Sequence, residues 1–142
     1  MSAADLTWEE VERIVRPPKT IAVVGLSDKH DRESHEIAAY LQREGYRIIP
    51  VNPRITETLG EKAYPSLREI PERVDIVQIF RRSEDVPPIV EDAIAVGAPV
   101  VWMQAGIVNE EAAARAETAG LTVVMDTCLR SAHRALRGAG RL

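Results

Sequence analysis

The feature that most limits how this chain folds is a rhythm. Five short apolar runs rich in β-branched residues alternate with stretches of helical periodicity: TIAVVG (20–25), RIIPV (47–51), VDIVQIF (74–80), VVWMQ (100–104) and LTVVM (121–125). A strand with one wet face alternates polar and apolar residues, whereas a strand buried on both faces of a parallel sheet reads as a near-continuous apolar run. Between the runs, Ile37, Ala38, Tyr40 and Leu41 fall at helical spacing and stop at Gly45, a natural C-cap. Pro87 and Pro88 open a helix that reaches Gly97, Asn109-Glu110-Glu111 opens an Ala-rich one that ends at Gly120, and the segment through Leu136 reads as a last helix. Ahead of the first run, Thr7-Trp8-Glu9-Glu10 has capping-box spacing; Trp8, Val11, Ile14 and Val15 share a helical face, and Pro17-Pro18 stops that helix. Strand–helix alternation builds βαβ units. The sequence therefore predicts an α/β chain, a doubly wound sheet of about five parallel strands flanked by helices, with an N-terminal lead-in helix.

At 142 residues the chain has the length of one domain, expected to span 1–142 with its core at about 8–137. Hydrophobic residues at 45% are enough for a core, and with aromatics at 4% that core is aliphatic. No apolar run approaches the ~20 residues of a membrane span, and MSAADLTWEE carries acids where a signal peptide has its apolar stretch. The single cysteine, Cys128, allows neither an internal disulfide nor a cysteine cluster for metal, which points to the reducing cytoplasm. A net charge of -4 speaks against a general nucleic-acid binder but leaves room for a local basic pocket.

Right-handed crossovers bring every strand's carboxyl end to one edge, and ligands of such sheets bind outside that edge. The first run is followed by Gly25-Leu26-Ser27, then Ser34. Gly25 permits a sharp turn and close approach of a ligand, and Ser27 offers a hydroxyl to a phosphate. Ser34 is expected as the N-cap of a helix whose free amides favour an anion. An ordinary strand-to-helix turn accounts for the same residues, and only one glycine of the dinucleotide fingerprint G-x-G-x-x-G is present. Val51-Asn52-Pro53-Arg54 follows the second run. NAD-binding folds carry an acid near here for the ribose 2′-hydroxyl; Asn52 and a cation fit a ligand with extra phosphate, NADP included. Asn-Pro is also a plain turn signal, and Arg54 a surface residue. After the third run, Arg81 and Arg82 offer a bidentate phosphate clamp or pair with Glu84 and Asp85, and Phe80 lines a groove or finishes the core. After the fourth, Gly106, Ile107 and Asn109 allow close backbone approach, although a turn and a cap explain them equally. After the fifth, Cys128 is a small buried hydrophobe or a thiol activated at a helix N-terminus.

No catalytic or metal-binding residue is expected. His30, His35 and His133 lack metal-ligand spacing, no metalloprotease, nucleophile-elbow or P-loop motif occurs, and no base, nucleophile and oxyanion hole converge. A phospho-receiver would need an acid where Phe80-Arg81-Arg82 stands. Arg130, Arg134, Arg137 and Arg141 read as a solvated helix face that complements the helix dipole.

Taken together, IAVVGLS (21–27), IPVNPR (49–54), YPSL (64–67), residues 77–82, GIVNE (106–110) and MDTC (125–128) resemble, in order and spacing, the stand-alone CoA-binding proteins. These are single Rossmann-like domains similar to the N-terminal domain of the succinyl-CoA synthetase α subunit, and the likeness spans about 8–137. The resemblance implies a Rossmann-like sheet that binds coenzyme A or an acyl-CoA at its carboxyl edge. Matching positions put Gly25, Leu26 and Ser27 at the pyrophosphate. Val51, Asn52, Pro53 and Arg54 flank the adenosine, with Arg54 on phosphate. Phe80 and Arg81 border the pantetheine arm, and Gly106, Ile107 and Asn109 form the far wall. Ser34 and Arg82 complete the expected binding set. The phosphorylated histidine and nucleotide-grasping parts of the larger synthetases have no counterpart in these residues, so a non-catalytic module is implied. Two rivals keep the same fold: an NAD(P)(H)-binding oxidoreductase or redox sensor, and a small acyl-CoA-processing enzyme working through Cys128 or Ser27. The expected partner is a small molecule, with no nucleic acid or membrane, and a protein partner is left open.

Overall fold

The computed structural model describes residues 6–142, so the leader-free reading of the first five residues lies outside the described part. In chain order the strands are β1 (Thr20–Val24), β2 (Arg47–Val51), β3 (Glu57–Thr58), β4 (Glu61–Lys62), β5 (Ile76–Ile79), β6 (Val100–Met103) and β7 (Thr122–Val124). The helices are α1 (Trp8–Val15), α2 (Glu33–Arg43), α3 (Val86–Val96), α4 (Glu110–Thr118) and α5 (Leu129–Gly138). Five strands pair in parallel in the order β2-β1-β5-β6-β7, the predicted Rossmann-like α/β sheet.

The apolar runs are continuous because both faces of the sheet are covered. On β1, Ile21 and Val23 pack toward α1, α2 and α5 with Val15, Ile37, Leu41, Leu129 and Leu136. Ala22 and Val24 alternate to the opposite face and pack toward α3 and α4 with Val86, Val90, Ala93, Ala113 and Ala116. The alanines of α4 let that helix lie close to the sheet, and α3 begins with its prolines in the first turn and ends at Gly97 in the left-handed conformation.

The predicted capping box closes α1: Thr7 Oγ1 accepts from the Glu10 amide at 3.1 Å, and Glu10 Oε1 accepts from the Thr7 amide at 3.3 Å. Two local expectations need correction. Trp8 does not join the buried face of α1, which is carried by Val11 and Val15; it is 48% exposed, with the Arg141 guanidinium 5.3 Å from its ring. Ser34 is not the N-cap of α2. Arg32 takes that position, with its carbonyl accepting from the His35 and Glu36 amides, while Ser34 is buried in the first turn and its Oγ accepts from the Ser27 amide at 3.1 Å. The tail helix face is solvated at Arg134 and Arg137, as expected, and its arginines also make surface contacts. Arg137 pairs with Glu44, the C-cap of α2, Arg141 with Glu12 of α1, and Arg134 lies over the Tyr40 ring.

The chain leaves β1 toward β2, then returns across β1 to β5 and continues to β6 and β7. The direction of winding thus reverses between β1 and β5. A crevice opens outside the carboxyl ends of the strands at such a reversal, because the flanking loops depart to opposite faces. No helix among the described residues is long and apolar enough to cross a membrane.

Candidate functional site

Gly25 stands at this reversal. Its amide donates to the Val51 carbonyl at 2.8 Å, and the Phe80 amide donates to the Val24 carbonyl at 2.8 Å, so the ends of β2, β1 and β5 are laced together. Gly25 has φ 90°, and a Cβ there would lie 2.7 Å from the Phe80 carbonyl oxygen. The glycine is thus required by the crowding of two strand ends as well as by the turn.

Three connected hollows follow the carboxyl edge. The first, about 550 Å³, is lined by Gly25, Ser27, Ser34, Asn52, Arg54 and Phe80, together with the cations Lys29 and Arg32 and the acids Asp28 and Glu33. Ser27 is tied on both sides: its amide donates to Ser34 Oγ, and its own Oγ accepts from the Lys29 amide at 3.0 Å. Asn52 is a bracket. Its Nδ2 donates to the Leu26 carbonyl at 3.0 Å and its Oδ1 accepts from the Arg54 amide at 2.9 Å, so both polar ends are committed to shaping the loops. Lys29, Arg32 and Arg54 are exposed and, among the described residues, form no ion pair. The first amides of α2 have no intrahelical acceptor and add the positive end of the helix dipole. Beside them His30 and His35 stack with centroids 4.4 Å apart, and burial, then the His30 charge, holds His35 below its ordinary pKa.

The second hollow, about 280 Å³, is mostly apolar, with Val24, Val51, Pro53, Pro65 and Leu67 under the Arg81 side chain. The third, about 460 Å³, runs past Phe80 and Arg81 to Arg82, Gln104, Gly106 and Ile107. Phe80 belongs to the first and third hollows and Arg81 to the second and third, so the three lie side by side along one groove-like edge. Arg82 is 82% exposed and lies 3.8 Å from both Glu84 and Asp85, so it is the more solvated of the two adjacent arginines.

Two expected residues lie off the groove. The Leu26 side chain is fully buried against the α2 face, leaving only its backbone near the loop. Asn109 caps α4, with Oδ1 accepting from the Ala112 amide and Nδ2 donating to the Ser83 carbonyl, each at 2.9 Å. Conversely, Lys29, Arg32 and Gln104 line the groove but escaped the sequence reading. The loop's cations were visible in its composition, whereas nothing local marks Gln104. That side chain is 2% exposed; its Oε1 accepts from Gln78 Nε2 at 3.0 Å and from the Leu129 amide at 2.9 Å. Leu129 opens α5 directly after Cys128. Burial pushes the Cys128 thiol up, but donors from Ser131, Gln104 and the Arg130 amide outweigh it and hold the thiol below its ordinary pKa.

The chain resembles known proteins over most of its length. Residues 19–134 match the family described as CoA binding domain. The uncharacterised protein YneT of Bacillus subtilis is 51% identical over 124 residues, covering 87% of this chain and 92% of its own. An ADP-forming acetate–CoA ligase of Archaeoglobus fulgidus is 33% identical over 122 residues, 79% of this chain, which spans 18% of that ligase. Among solved structures, a hypothetical protein from Pyrococcus horikoshii superposes with TM-score 0.92 at 38% identity, covering 97% of each chain. A match over most of the length, with a neighbour of the same shape end to end, places the chain in the CoA binding domain family.

Proposed function

We propose that the protein binds coenzyme A or an acyl-CoA in the groove at the carboxyl edge, as a non-catalytic cytoplasmic module formed by one domain over residues 1–142. The observation that carries this reading is the polarity of the groove. One end gathers Lys29, Arg32 and Arg54 without ion-pair partners at the start of α2, which suits phosphates. The second hollow is lined mainly by Val24, Val51, Pro53, Pro65, Leu67 and Ile89, which suit a long, largely apolar tail. Arg54 holds a phosphate, Ser27 and Asn52 set the loop shapes around the nucleotide, and Phe80 with Arg81 borders the tail. Asn52 spends both polar ends on backbone, so nothing at that position reads a ribose 2′-hydroxyl as the acid of an NAD site does.

A thermal-shift panel with CoA, acetyl-CoA, dephospho-CoA, NADH and NADPH tests the reading. A ligand of the native state stabilises it by about 2.7 kcal/mol at a hundredfold excess over Kd. CoA and its thioesters are expected to raise Tm and the nicotinamides to leave it unchanged. A shift with NADH or NADPH alone overturns the ligand and keeps the fold.

A further inference from the structure

Away from the carboxyl-edge groove, α1 and α5 lie side by side over one face of the sheet and leave a hollow of about 490 Å³ between them. Leu6, Val11, Ala132 and Leu136 are its buried and half-buried apolar lining, Trp8 and Ala135 are exposed, and Thr127 and Ser131 supply its polar atoms. Trp8 is the most exposed large apolar side chain among the described residues. It is also held in place. The capping box fixes its backbone in the first turn of α1. The Arg141 guanidinium over its ring donates to Glu12 at 3.3 Å, and Arg16 Nη2 donates to the Arg141 carbonyl at 2.6 Å. An exposed, positioned indole beside an apolar hollow is a knob next to a hole. Hollows of about 300–1,000 Å³ take drug-sized molecules, so an indole fits. Tryptophan is enriched among the residues that dominate interfaces, and a side chain ordered beforehand loses little entropy on binding.

The charges on this face are divided. Leu6 and Trp8 share the hollow with Ser131, early in α5, whereas Arg16 meets Arg141 beyond the end of α5, so the two helices run in the same direction. α1 carries Glu9, Glu10 and Glu12 against Arg13, while residues 127–142 carry four arginines and no acid. Exposed Glu9 adjoins Trp8 on one side of the hollow, and exposed Arg134 adjoins Ala135 on the other.

We propose that the α1–α5 face is the interface of a two-fold dimer, with a second copy of this chain as its occupant. A patch that carries both knob and hole is complementary to itself, which is what an isologous contact needs. A two-fold axis along the hollow stacks α1 of one copy over α5 of the other. Trp8 of each copy then enters the hollow of its partner, and Glu9 of each faces the partner's Arg134. A two-fold axis across the hollow sets α5 on α5, arginines against arginines, so charge selects the first arrangement. The residues of this face line none of the three hollows at the carboxyl edge, so pairing does not depend on the CoA reading.

The test is sedimentation equilibrium from about 1 to 200 µM, a range that brackets a micromolar Kd. The chain is expected to reach twice its own mass at the upper end. Over the same range acrylamide quenching of tryptophan emission should fall, because Trp102 is fully buried and Trp8 supplies the accessible signal. Trp8→Ala and Ala135→Glu, both at exposed helix positions, should raise the dimer Kd at least about thirtyfold with the far-UV circular dichroism unchanged. Glu9→Arg and Arg134→Glu should each weaken the dimer about tenfold, and the two together should restore it. A monomer throughout the range overturns the proposal. So does a monomer whose Trp8 is shielded by octanoate, which gives the hollow to an apolar small molecule. A dimer that Trp8→Ala and Ala135→Glu leave at parental affinity pairs through another face and overturns it equally. A double reversal no tighter than either single one overturns the stacking of α1 on α5.

Discussion

Replacing Gly25 by alanine separates what the fold demands from what a ligand demands. At φ 90° an L-residue pays a left-handed strain of about 1–2 kcal/mol. The added Cβ would also sit 2.7 Å from the Phe80 carbonyl oxygen and 3.2 Å from its carbon, both backbone atoms that no side-chain rotation moves aside. Relieving the clash means parting β1 from β5, which stretches the Phe80–Val24 and Gly25–Val51 hydrogen bonds, each worth about 1 kcal/mol. The expected loss is therefore about 2–4 kcal/mol, or roughly 6–15 °C in Tm for a chain of this size. Gly120→Ala is the matched control: its φ is 92° and nothing lies within 4 Å of its Cβ position, so it carries the strain without the clash. Urea unfolding followed by the fluorescence of buried Trp102 measures both. Gly25→Ala should cost at least about 1 kcal/mol more than Gly120→Ala. Equal costs would show that the strand ends yield freely and would refute the crowding argument.

Arg54→Ala should weaken CoA binding by about 1–3 kcal/mol with Tm of the free protein unchanged, since its side chain is exposed; calorimetric titration showing parental affinity removes Arg54 from the site. Trp102→Phe loses the Nε1 bond to the Thr127 carbonyl and leaves space in the core, a loss of about 2 kcal/mol in denaturant unfolding; a cost under about 0.5 kcal/mol contradicts that bond's role. Acidification should destabilise the fold in two stages. Burial holds His35 and His133 below their ordinary value of ~6.5, so the unfolded chain binds protons first, and stability present above that pH is lost as pH falls through it. The ion-paired carboxyls of Glu12 and Glu72, held low by Arg16 and Arg47, extend the loss below the ordinary carboxylate range. A Tm that stays flat or rises from about pH 7.5 to about 5.5 contradicts the histidine argument.

The sheet was legible because burial on both faces leaves few polar residues in the runs: β1 and β6 read as TIAVV and VVWM, β-branched segments bounded by turn signals. The β3–β4 hairpin was not legible. Its strands hold two residues each, too few for any period, and its turn puts Leu59 at φ 55°, where sequence rules look for asparagine or aspartate. What steadies that turn is remote, the Gln42 Nε2 bond to the Leu59 carbonyl. Ser34 was misplaced for a related reason. Serine before an apolar stretch is the ordinary N-cap signal, but here its hydroxyl serves the Ser27 amide across the loop, and the helix starts earlier without a side-chain cap.

The site shows the same division between chemistry carried by residue type and chemistry carried by partnership. Arg54 and Arg81 could be found from their positions after strands, since a cation without an acid beside it keeps its character wherever the loop settles. Asn52 could not be resolved, because a turn former and a ligand contact look alike until its two hydrogen bonds, to Leu26 and Arg54, are seen to use both polar ends. Gln104 and Cys128 are the extreme case. They lie on different strand exits, and only the pairing of β6 with β7, locked by Asp126 and Thr127, brings Gln104 to the start of α5, where its Oε1 accepts from the Leu129 amide. The type of a lone cysteine says little by itself, because the pKa of its thiol is set by donors that the fold delivers.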